Sequence, residues 1–279
     1  MRYVVPIVMA SDDGYLPCAA VAIRSLIDTK KRDSIYHIYI LCAGISELAR
    51  QEIEDMSQPD VMISFRDISN YITPYLAKLY ARAYFTKEMY FRWWIGELFP
   101  EYDKVLYLDC DIVATCDLST LHQINLGSAA VGGVIDFATP AVIRRIAKQL
   151  HLQAEEYINS GVLLINTAVW RTEHLKDSCL AYLSCHEELI CPDQDVLNLV
   201  CRNRISYLNE RWNVQWHHLW DRQDNQLEEP FLSMFSSSIS APNILHFSSQ
   251  IKPWNSPPNP YSEYFWQYAE PLGYYSRTE

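Results

Sequence analysis

The sequence predicts an α/β fold built on a doubly wound sheet. In the N-terminal part of the chain, three apolar, strand-like segments alternate with two helical segments, an order that is typical of such sheets. The first of these segments is apolar on both faces, as strands of a parallel sheet are. The chain has 279 residues, of which 49% are hydrophobic, so it can form a sizeable core in one large domain or two small ones.

The alternation begins at the N-terminus and is regular. Strands are predicted at residues 3–9, 35–41 and 61–65, and helices at residues 17–29 and 46–56. Ser46 suits the cap of the second helix. No Gly-x-Gly-x-x-Gly follows the first strand, and the chain contains no P-loop motif. Both absences disfavour a dinucleotide oxidoreductase and a P-loop NTPase.

Further strands and helices follow in the rest of the chain. Strands are predicted at residues 105–108, 129–135 and 244–247, and helices at residues 88–98, 139–150 and 261–275, the last of them aromatic and amphipathic. A tight polar element at residues 159–161 enters another apolar strand, and Thr167 is expected to cap the helix after it. Residues 221–240 are polar and predict a long surface loop.

Two carboxylates directly follow the apolar strand at residues 105–108. Asp109 and Asp111 flank Cys110, and alternate side chains of an extended segment share a face. The two carboxylates can therefore converge on one point, and their hard oxygens suit Mg²⁺ or Mn²⁺, above all an ion that carries substrate phosphates. An Asp-x-Asp triplet alone is a weak signal, but its position at the end of a core strand strengthens it.

Composition narrows the class of partner and the compartment. The net charge of −11 argues against a nucleic-acid binder, which needs a basic surface. Eight cysteines are spread along the chain, and Cys179, Cys185 and Cys191 lack the paired spacing of a zinc site. The N-terminus has no long apolar signal core, and no stretch of about 18 apolar residues is present for a membrane span. We therefore expect a cytoplasmic protein.

Several polar residues have both a structural and a functional interpretation. Ser11 and Asp12 can cap a helix or line a ligand site at the sheet edge, and the two roles are compatible. For Arg92, the local sequence favours a stem packed on the surface with its head in water over a fork that binds an anion or a sugar. Asp136 closes another apolar run, as the first aspartate pair does.

Two further polar positions are ambiguous in the same way. The two acidic residues that follow Pro192 form an ordinary helix N-terminus, and a functional role requires that Asp193 or Gln194 face a cleft. A lone histidine is more often structural, but His246 lies at the end of a predicted strand, which strengthens its interpretation as a metal ligand.

Five motifs together resemble the family-eight retaining glycosyltransferases, which include bacterial lipopolysaccharide galactosyl- and glucosyltransferases and glycogenin. They read ASDDGY, YDKVLYLDCDIVATCDLSTL, INSGVLLINTAVWR, PDQDVLN and ILHFSSQIKPW, and they lie at residues 10–15, 102–121, 158–171, 192–198 and 244–254. Each motif alone is weak. Five in the family's order, across nearly the whole chain, make the resemblance specific.

The resemblance implies a GT-A-type, Rossmann-like, doubly wound mixed sheet in a single domain over residues 1–279, with a small C-terminal extension. Residues 1–120 would form the nucleotide-binding half, residues 121–255 the half for the sugar and the acceptor, and residues 256–279 a C-terminal aromatic helix. The implied metal is Mn²⁺, with Mg²⁺ as the alternative. The implied ligands are Asp109, Asp111 and His246.

The resemblance also implies how the donor is bound. Ala10, Asp12 and Tyr15 match positions that hold uracil and ribose, Lys252 matches a pyrophosphate-contacting lysine, and Cys110 lies between the metal ligands. Positions around the transferred sugar are matched by Arg92, Asp136, Asn159, Ser160, Asp193 and Gln194. This chain departs from the family at Gly14, where relatives often have Asn, and at Ser249, where they often have Gly.

The implied activity is transfer of galactose or glucose from a UDP-hexose to a hydroxyl of a glycan or glycolipid acceptor, with retained configuration. Because Gln194 is a poor nucleophile, same-face attack is favoured, and Asp195 as a nucleophile is the alternative. The rival functions are an inactive sugar-nucleotide-binding relative and a UDP-sugar hydrolase. The chain lacks the longer basic tail of some relatives, so we expect at most peripheral contact with the inner face of the membrane.

Overall fold

A mixed β-sheet forms the centre of the computed structural model, which describes residues 2–79, 86–186, 189–216, 227–248, 250–255 and 261–277. The described residues contain strands numbered here in chain order: β1 (Tyr3–Ala10), β2 (Ser34–Cys42), β3 (Val61–Asp67), β4 (Lys104–Leu108), β5 (Ile112–Ala114), β6 (Val131–Ile135), β7 (Ile158–Asn166), β8 (Ile205–Tyr207), β9 (Val214–Gln215) and β10 (Ile244–His246). Every strand predicted from the sequence is present, with ends that differ by at most a few residues.

Seven of these strands of the described chain form the large sheet, in the order β3-β2-β1-β4-β7-β6-β8. The pairs β3–β2, β2–β1 and β1–β4 are parallel, whereas β7 runs antiparallel to both β4 and β6. The carboxyl ends of β1 and β4 therefore meet at one edge, where open α/β sheets bind ligands. The observed order confirms the predicted α/β class with a mixed sheet.

A small sheet of β5, β10 and β9 stands beside the large one. The chain leaves the large sheet after Leu108 and enters the small sheet at Ile112, so the residues between them link the two sheets. Antiparallel pairing of β10 with β5 places His246 opposite Ile112. A residue from far along the chain is thereby brought next to the carboxylates that follow β4.

The described helices lie on both faces of the large sheet. They are α1 (Leu16–Thr29), α2 (Glu47–Glu54), α3 (Ser69–Ile72), α4 (Ile95–Leu98), α5 (Ser119–His122), α6 (Pro140–Arg145), α7 (Thr167–Thr172), α8 (Leu175–Cys185), α9 (Pro192–Val200), α10 (Phe231–Ile239) and α11 (Ser262–Leu272). Pro17 lies in the first turn of α1, where its missing N–H costs no hydrogen bond. The C-terminal helix α11 packs on α1 and buries Phe265 and Trp266, as the amphipathic pattern predicts.

Two predicted helices have a different internal geometry. Residues 88–98 were expected to form one helix, but Lys87–Trp94 is a 3₁₀ segment that continues into α4. Its run of aromatic residues is almost wholly buried, so tertiary packing has overridden the local preference. The helix predicted at residues 139–150 begins as α6 and continues through a π-type turn at Ile146–Leu150.

Three local predictions were wrong. Residues 159–161 lie inside β7 and do not precede it, because their backbone pairs within the sheet. Asn166 caps α7 through its side chain, which accepts from the Val169 N–H, while the Thr167 hydroxyl donates to the Tyr102 carbonyl. Part of the loop predicted at residues 221–240 is α10, and residues 221–226 lie outside the described residues.

The apolar core runs through the large sheet and under the small one. Strand β7 is buried along its length except at its last residue, and the largest fully buried side chains include Trp93, Trp94 and Trp216. None of the helices within the described residues combines the length and the hydropathy that crossing a bilayer would require.

Candidate functional site

A cavity of about 1060 Å³ opens at the carboxyl ends of β1 and β4. It contains nearly all of the site residues predicted from the sequence. Those that line it are Ala10, Asp12, Tyr15, Arg92, Asp109, Cys110, Asp111, Asp136, Asn159, Ser160, Asp193, Gln194, His246 and Lys252. Ser249, the remaining predicted site residue, lies outside the described residues.

Two carboxylates and one imidazole converge in the middle of this cavity. Among the described residues, Asp109, Asp111 and His246 form the one group of three potential metal ligands whose donor atoms all lie within 4.8 Å of one another. The His246 Nε2 atom is 3.4 Å from Asp111 Oδ1 and 3.7 Å from Asp109 Oδ2. The sequence-based prediction that these three side chains converge is therefore matched by the geometry.

In each carboxylate of this group, one oxygen accepts hydrogen bonds from the protein and the other oxygen is left available. Asp109 Oδ1 accepts from Arg92 Nη2 and from the Tyr107 hydroxyl, both at 2.9 Å. Asp111 Oδ2 accepts from Lys252 Nζ, which also donates to the Phe247 carbonyl. The two oxygens nearest His246 are the other ones, Asp109 Oδ2 and Asp111 Oδ1.

A chain of amides determines which nitrogen of His246 faces the carboxylates. The Gly161 N–H donates to Asn159 Oδ1 at 3.0 Å, and Asn213 Nδ2 donates to the same oxygen at 2.9 Å. Asn213 Oδ1 is therefore the atom that lies 2.9 Å from His246 Nδ1. Since that oxygen only accepts, Nδ1 carries the hydrogen in the neutral ring, and the lone pair of Nε2 points toward the carboxylates.

Gly161 makes the close approach of these groups possible. A Cβ at this position would overlap the His246 ring and lie 2.7 Å from Asp109 Oδ2. The Gly161 carbonyl also accepts from the Asp109 N–H at 2.8 Å, which extends the pairing of β4 with β7 to the first carboxylate. The sheet backbone and the absence of a side chain together form the cradle for the three donor atoms.

This donor set fits a divalent cation. Two carboxylate oxygens and a nitrogen lone pair facing one another repel unless a cation lies among them. Burial opposes the ionisation of Asp111, but the Lys252 ammonium holds the pKa of that carboxyl well below its usual range. Carboxylate and imidazole ligands suit Mn²⁺, and the hydrogen bond from Nδ1 is the outer contact that orients a metal-binding histidine.

Arg92 lies inside the site, so the interpretation favoured from local sequence, a surface stem with its head in water, is wrong. The side chain is 4% exposed and donates to Asp109, to the Met89 carbonyl and to the Ser160 carbonyl. Burial alone would lower the pKa of Arg92, but the negative charges around the guanidinium, Asp109 foremost, raise this pKa above its ordinary value. The guanidinium links the metal-site carboxylate to the strand that carries Ser160.

Gln194 is held by both ends of its amide. Its Oε1 accepts from the Ser160 N–H at 3.0 Å, and its Nε2 donates to Asp136 Oδ2 at 3.0 Å. Asp136 Oδ2 also accepts from Asn159 Nδ2 at 3.1 Å. This network joins the ends of β6, β7 and α9, and it places Gln194 in the cavity wall with a defined amide orientation.

Asp193 also lines the cavity. Asp193 and Gln194 therefore both face a cleft, which is the condition for a functional role. Its Oδ2 accepts from the Ser160 hydroxyl at 3.1 Å and lies 3.4 Å from Arg92 Nε. Burial raises the pKa of Asp193 in spite of the nearby guanidinium.

Asp195 has a different environment from its two neighbours. It is 0% exposed and does not line the cavity. Its carboxylate accepts from Arg145 Nη1, with both oxygens at 3.1 Å, and also from the Tyr157 hydroxyl and the Cys191 N–H. The side chain holds α6, β7 and the start of α9 together.

The loop after β1 forms the other end of the cavity. Asp12 Oδ1 accepts from the Tyr15 N–H at 2.9 Å and so caps the 3₁₀ turn there, while the side chain also lines the cavity. Both roles expected of Asp12 are therefore present. The Tyr15 hydroxyl lies 3.4 Å from Asp111 Oδ2. Gly14 lies in the exposed turn, where an added Cβ would be 3.5 Å from Asp12 Oδ1.

Several residues that shape the site were not predicted. Asn213 and Tyr107 orient metal-site side chains, Gly161 gives them room, and Trp254 and Glu88 line the cavity. One weak signal existed in the sequence. Asn213 lies between the apolar residues Trp212 and Val214, and a polar residue needs a hydrogen-bonding partner when it is buried.

Solved structures with a similar fold are glycosyltransferases. The apo structure of the bifunctional glycosyltransferase WbbM aligns with a TM-score of 0.82 at 24% identity, over 99% of this chain and 50% of that one. The galactosyltransferase LgtC, in complex with donor and acceptor sugar analogues, aligns with a TM-score of 0.79 at 24% identity, over 96% of each chain. These similarities confirm the expected GT-A-type fold.

Sequence comparison then identifies the family. Residues 6–257 match the profile of glycosyl transferase family 8, and the chain belongs to this family. General stress protein A of Bacillus subtilis is 23% identical over 94% of this chain and 92% of its own length. Lipopolysaccharide glucosyltransferase WaaO of Escherichia coli is 29% identical over 61% of this chain. The chain spans 50% of WaaO and 34% of another relative, the glycosyltransferase GlyA of Streptococcus pneumoniae.

Proposed function

We propose that this protein transfers a hexose, galactose or glucose, from a UDP-sugar to a hydroxyl of a glycan acceptor, with retention of configuration. The observation that carries the proposal is the group formed by Asp109, Asp111 and His246, which lies in a cavity of about 1060 Å³ lined by many other polar side chains. The relatives include a lipopolysaccharide glucosyltransferase and a lipopolysaccharide 1,3-galactosyltransferase, which favours these two donors and a surface glycan as acceptor.

The loop after β1 would bind the nucleoside. Ala10, Asp12 and Tyr15 line the cavity, and the Tyr15 hydroxyl lies 3.4 Å from Asp111 Oδ2. A short polar loop at the carboxyl edge of a sheet is where α/β folds hold nucleotides. Trp254 adds an aromatic wall near Lys252, and Tyr275 supports it from behind by stacking at 4.9 Å between ring centroids.

The diphosphate would lie against the metal group and Lys252. Bound there, Mn²⁺, or Mg²⁺ in its place, supplies Lewis-acid stabilisation of the charge that builds on the leaving diphosphate. Lys252 has three N–H donors, of which two reach Asp111 and the Phe247 carbonyl. Its charge lies within the same cluster, where it would neutralise a phosphate oxygen as the bond to the sugar breaks.

The transferred sugar would occupy the recess walled by Arg92, Asp136, Asn159, Asp193 and Gln194. Carboxylates and amides are the usual acceptors and donors for sugar hydroxyls, and here each is fixed by another protein group. Side chains that are already oriented lose little entropy when the sugar binds. The network therefore orients the sugar relative to the diphosphate.

The structure of α9 favours same-face attack. A covalent route needs a free carboxylate at the face of the sugar opposite the leaving group. Gln194 is an amide whose oxygen and nitrogen are both hydrogen-bonded. Asp195 is fully buried, and its carboxylate accepts hydrogen bonds from Arg145, Tyr157 and Cys191. The acceptor hydroxyl would then approach on the side of the departing diphosphate, whose oxygen takes the proton, while the Gln194 amide faces the developing positive charge.

Release of UDP from a panel of donors tests this function. UDP-galactose, UDP-glucose, UDP-N-acetylglucosamine and GDP-mannose are incubated with Mn²⁺ or with EDTA, with and without glycan acceptors. We expect UDP release from a UDP-hexose with Mn²⁺ only, and a glycosylated product when acceptor is present. Equal turnover in EDTA, or GDP-mannose as the preferred donor, would contradict the assignment, and free hexose as the sole product with every acceptor would indicate a hydrolase.

Binding of the nucleotide gives an independent test. UDP with Mn²⁺ should raise the melting temperature, because a ligand that binds the native state stabilises it. GDP should raise it much less, since Ala10, Asp12 and Tyr15 correspond to positions that would hold uracil and ribose by the resemblance to the family.

A further inference from the structure

Five residues that line the cavity have no part in the proposed binding of the donor. They are Thr86, which precedes the 3₁₀ segment, Glu88 and Met89 within that segment, and Val142 and Arg145 from α6. An acceptor must approach the sugar from a region that the nucleotide does not fill, so these residues are the ones available to it.

Glu88 is the exceptional residue of this region. It is 6% exposed and lines the cavity, yet its carboxylate has no hydrogen bond or ion pair to any residue of the described chain. Its oxygens are not among the fully buried polar atoms without a partner, which means that they reach the open space of the cavity.

Most other charged groups of the cavity have partners within the protein. Asp109 pairs with Arg92 and Asp111 with Lys252. Asp136 accepts from two amides. Arg145, a cation that also lines the cavity, is neutralised by the buried Asp195. Glu88 therefore presents to the cavity a carboxylate that no donor of the described chain engages.

An ionised carboxylate only accepts hydrogen bonds. A ligand that brings O–H groups can supply the missing donors, and adjacent hydroxyls of a sugar ring can donate to both oxygens at once. Glu88 is not part of the one potential metal-binding group found among the described residues. Met89 and Val142 beside it offer apolar surface for the C–H face of a ring.

We propose that Glu88 is the acceptor-recognition residue of this protein and accepts hydrogen bonds from two neighbouring hydroxyls of a neutral sugar ring. The proposal rests on the proposed function and names the chemistry of its second substrate. The side chains proposed to hold the donor sugar are joined in one hydrogen-bond network around Gln194, whereas Glu88 lies four residues before Arg92 and outside that network.

Saturation-transfer NMR with simple glycosides tests the proposal without needing the natural acceptor. The probes are methyl α-glucoside, methyl β-galactoside and methyl β-lactoside, each added to protein that holds UDP and Mg²⁺, because Mg²⁺ is diamagnetic and leaves the NMR signals sharp. The variants are Glu88→Ala and Glu88→Gln, with Glu155→Gln as a matched control, because Glu155 is exposed and does not line the cavity. The UDP-induced thermal shift of each variant is recorded in parallel.

We expect at least one glycoside to bind the wild type and the control, and to bind Glu88→Ala about 10- to 100-fold more weakly, the usual effect of losing a hydrogen bond to a charged group. Glu88→Gln should lose less, since its amide oxygen still accepts. Unchanged binding by Glu88→Ala, or no binding of any probe to the wild type, overturns the proposal. An equal loss in both variants would indicate a cationic acceptor and also overturns it.

The UDP measurement separates this proposal from the proposed function. A UDP shift that is retained in every variant places Glu88 outside the donor site, as we expect. Loss of that shift in Glu88→Ala alone would mean that Glu88 serves the nucleotide sugar, which contradicts an acceptor role. Absence of the shift in the wild type would contradict the nucleotide-sugar function itself, while glycoside binding would still report on Glu88.

Discussion

Asn213 Oδ1 lies 2.9 Å from Nδ1 of His246 and thereby turns the other ring nitrogen toward Asp109 and Asp111. Asn213 is itself fully buried and is oriented by Asn159. The tautomer of the histidine is thus determined by Asn213 and Asn159, which lie outside the candidate metal-binding group, in the way that outer contacts orient metal ligands in other proteins.

Replacing Asn213 should weaken metal binding without removing a ligand. Asn213→Ala leaves the His246 ring free to rotate and to place its hydrogen on Nε2, so we expect Mn²⁺ affinity to fall roughly 10- to 100-fold. Asn213→Asp keeps an acceptor for Nδ1 and should lose less. Mn²⁺ titration followed by electron paramagnetic resonance measures both, with the exposed Asn125→Ala as control. Equal affinity in Asn213→Ala and the wild type would refute the orienting role.

Gly161→Ala should abolish metal binding by steric overlap alone. The added methyl group would meet the His246 ring and the Asp109 carboxylate, so one of them must move away from the common point. Forcing atoms into a packed site typically costs about 1–3 kcal/mol of stability, and the protein should still fold. The control is Gly14→Ala, whose Cβ has ordinary contacts. Mn²⁺ affinity that survives in Gly161→Ala would show that the site is looser than the structure indicates.

The sequence alone predicted the part of the site that is contiguous in the chain. The strand before Asp109 and Asp111 is a plain apolar run, and its two carboxylates need only local geometry to converge. His246 was ambiguous from its place at the end of a predicted strand, and its role, like that of Lys252, was implied only by the resemblance to a family, because nothing local shows that β10 pairs with β5. Arg92 was misplaced for the same reason. Its burial depends on Asp109, Ser160 and Asp193, which lie far away in sequence.

Boundaries of elements were predictable where hydrophobic pattern decides them, as in β1, β2 and α1. The boundary predictions failed where a side chain competes with the backbone. Asn166 took the capping role expected of Thr167 because the Thr167 hydroxyl donates to the Tyr102 carbonyl. Glu88 could not be singled out at all, since its significance is the lack of a partner in the folded chain.

Gln194→Ala should retain measurable transfer activity. The amide orients groups around the sugar and forms no bond to carbon, so we expect a loss of about 10²-fold. Loss of a true nucleophile typically costs roughly 10⁴-fold or more. NMR of the product gives the second readout, which should be an α linkage from an α-linked donor. A β-linked product, or a glycosyl adduct trapped on Gln194 or Asp195, would rule out same-face attack.

Asp195→Ala should act on stability more than on the chemistry. It removes the buried partner of Arg145 and leaves the Tyr157 hydroxyl and the Cys191 N–H without their acceptor. Breaking a buried ion pair from one side typically costs about 3–5 kcal/mol. Urea unfolding should show this loss for Asp195→Ala and a smaller loss for Gln194→Ala, which removes hydrogen bonds but no buried ion pair. If Asp195→Ala unfolded like the wild type but lost transfer by several orders of magnitude, Asp195 would be a nucleophile and not a structural group.

Binding of Mn²⁺ to the Asp109, Asp111 and His246 group is the most direct measurement of the account as a whole. Electron paramagnetic resonance in the presence of UDP should show Mn²⁺ bound to the wild type and to the surface controls Asp55→Asn and His186→Ala. Asp109→Asn and His246→Ala should lose that signal and the UDP release from a UDP-hexose, while circular dichroism shows the fold intact. Mn²⁺ bound equally by both ligand variants, or full turnover by either of them, would contradict the account.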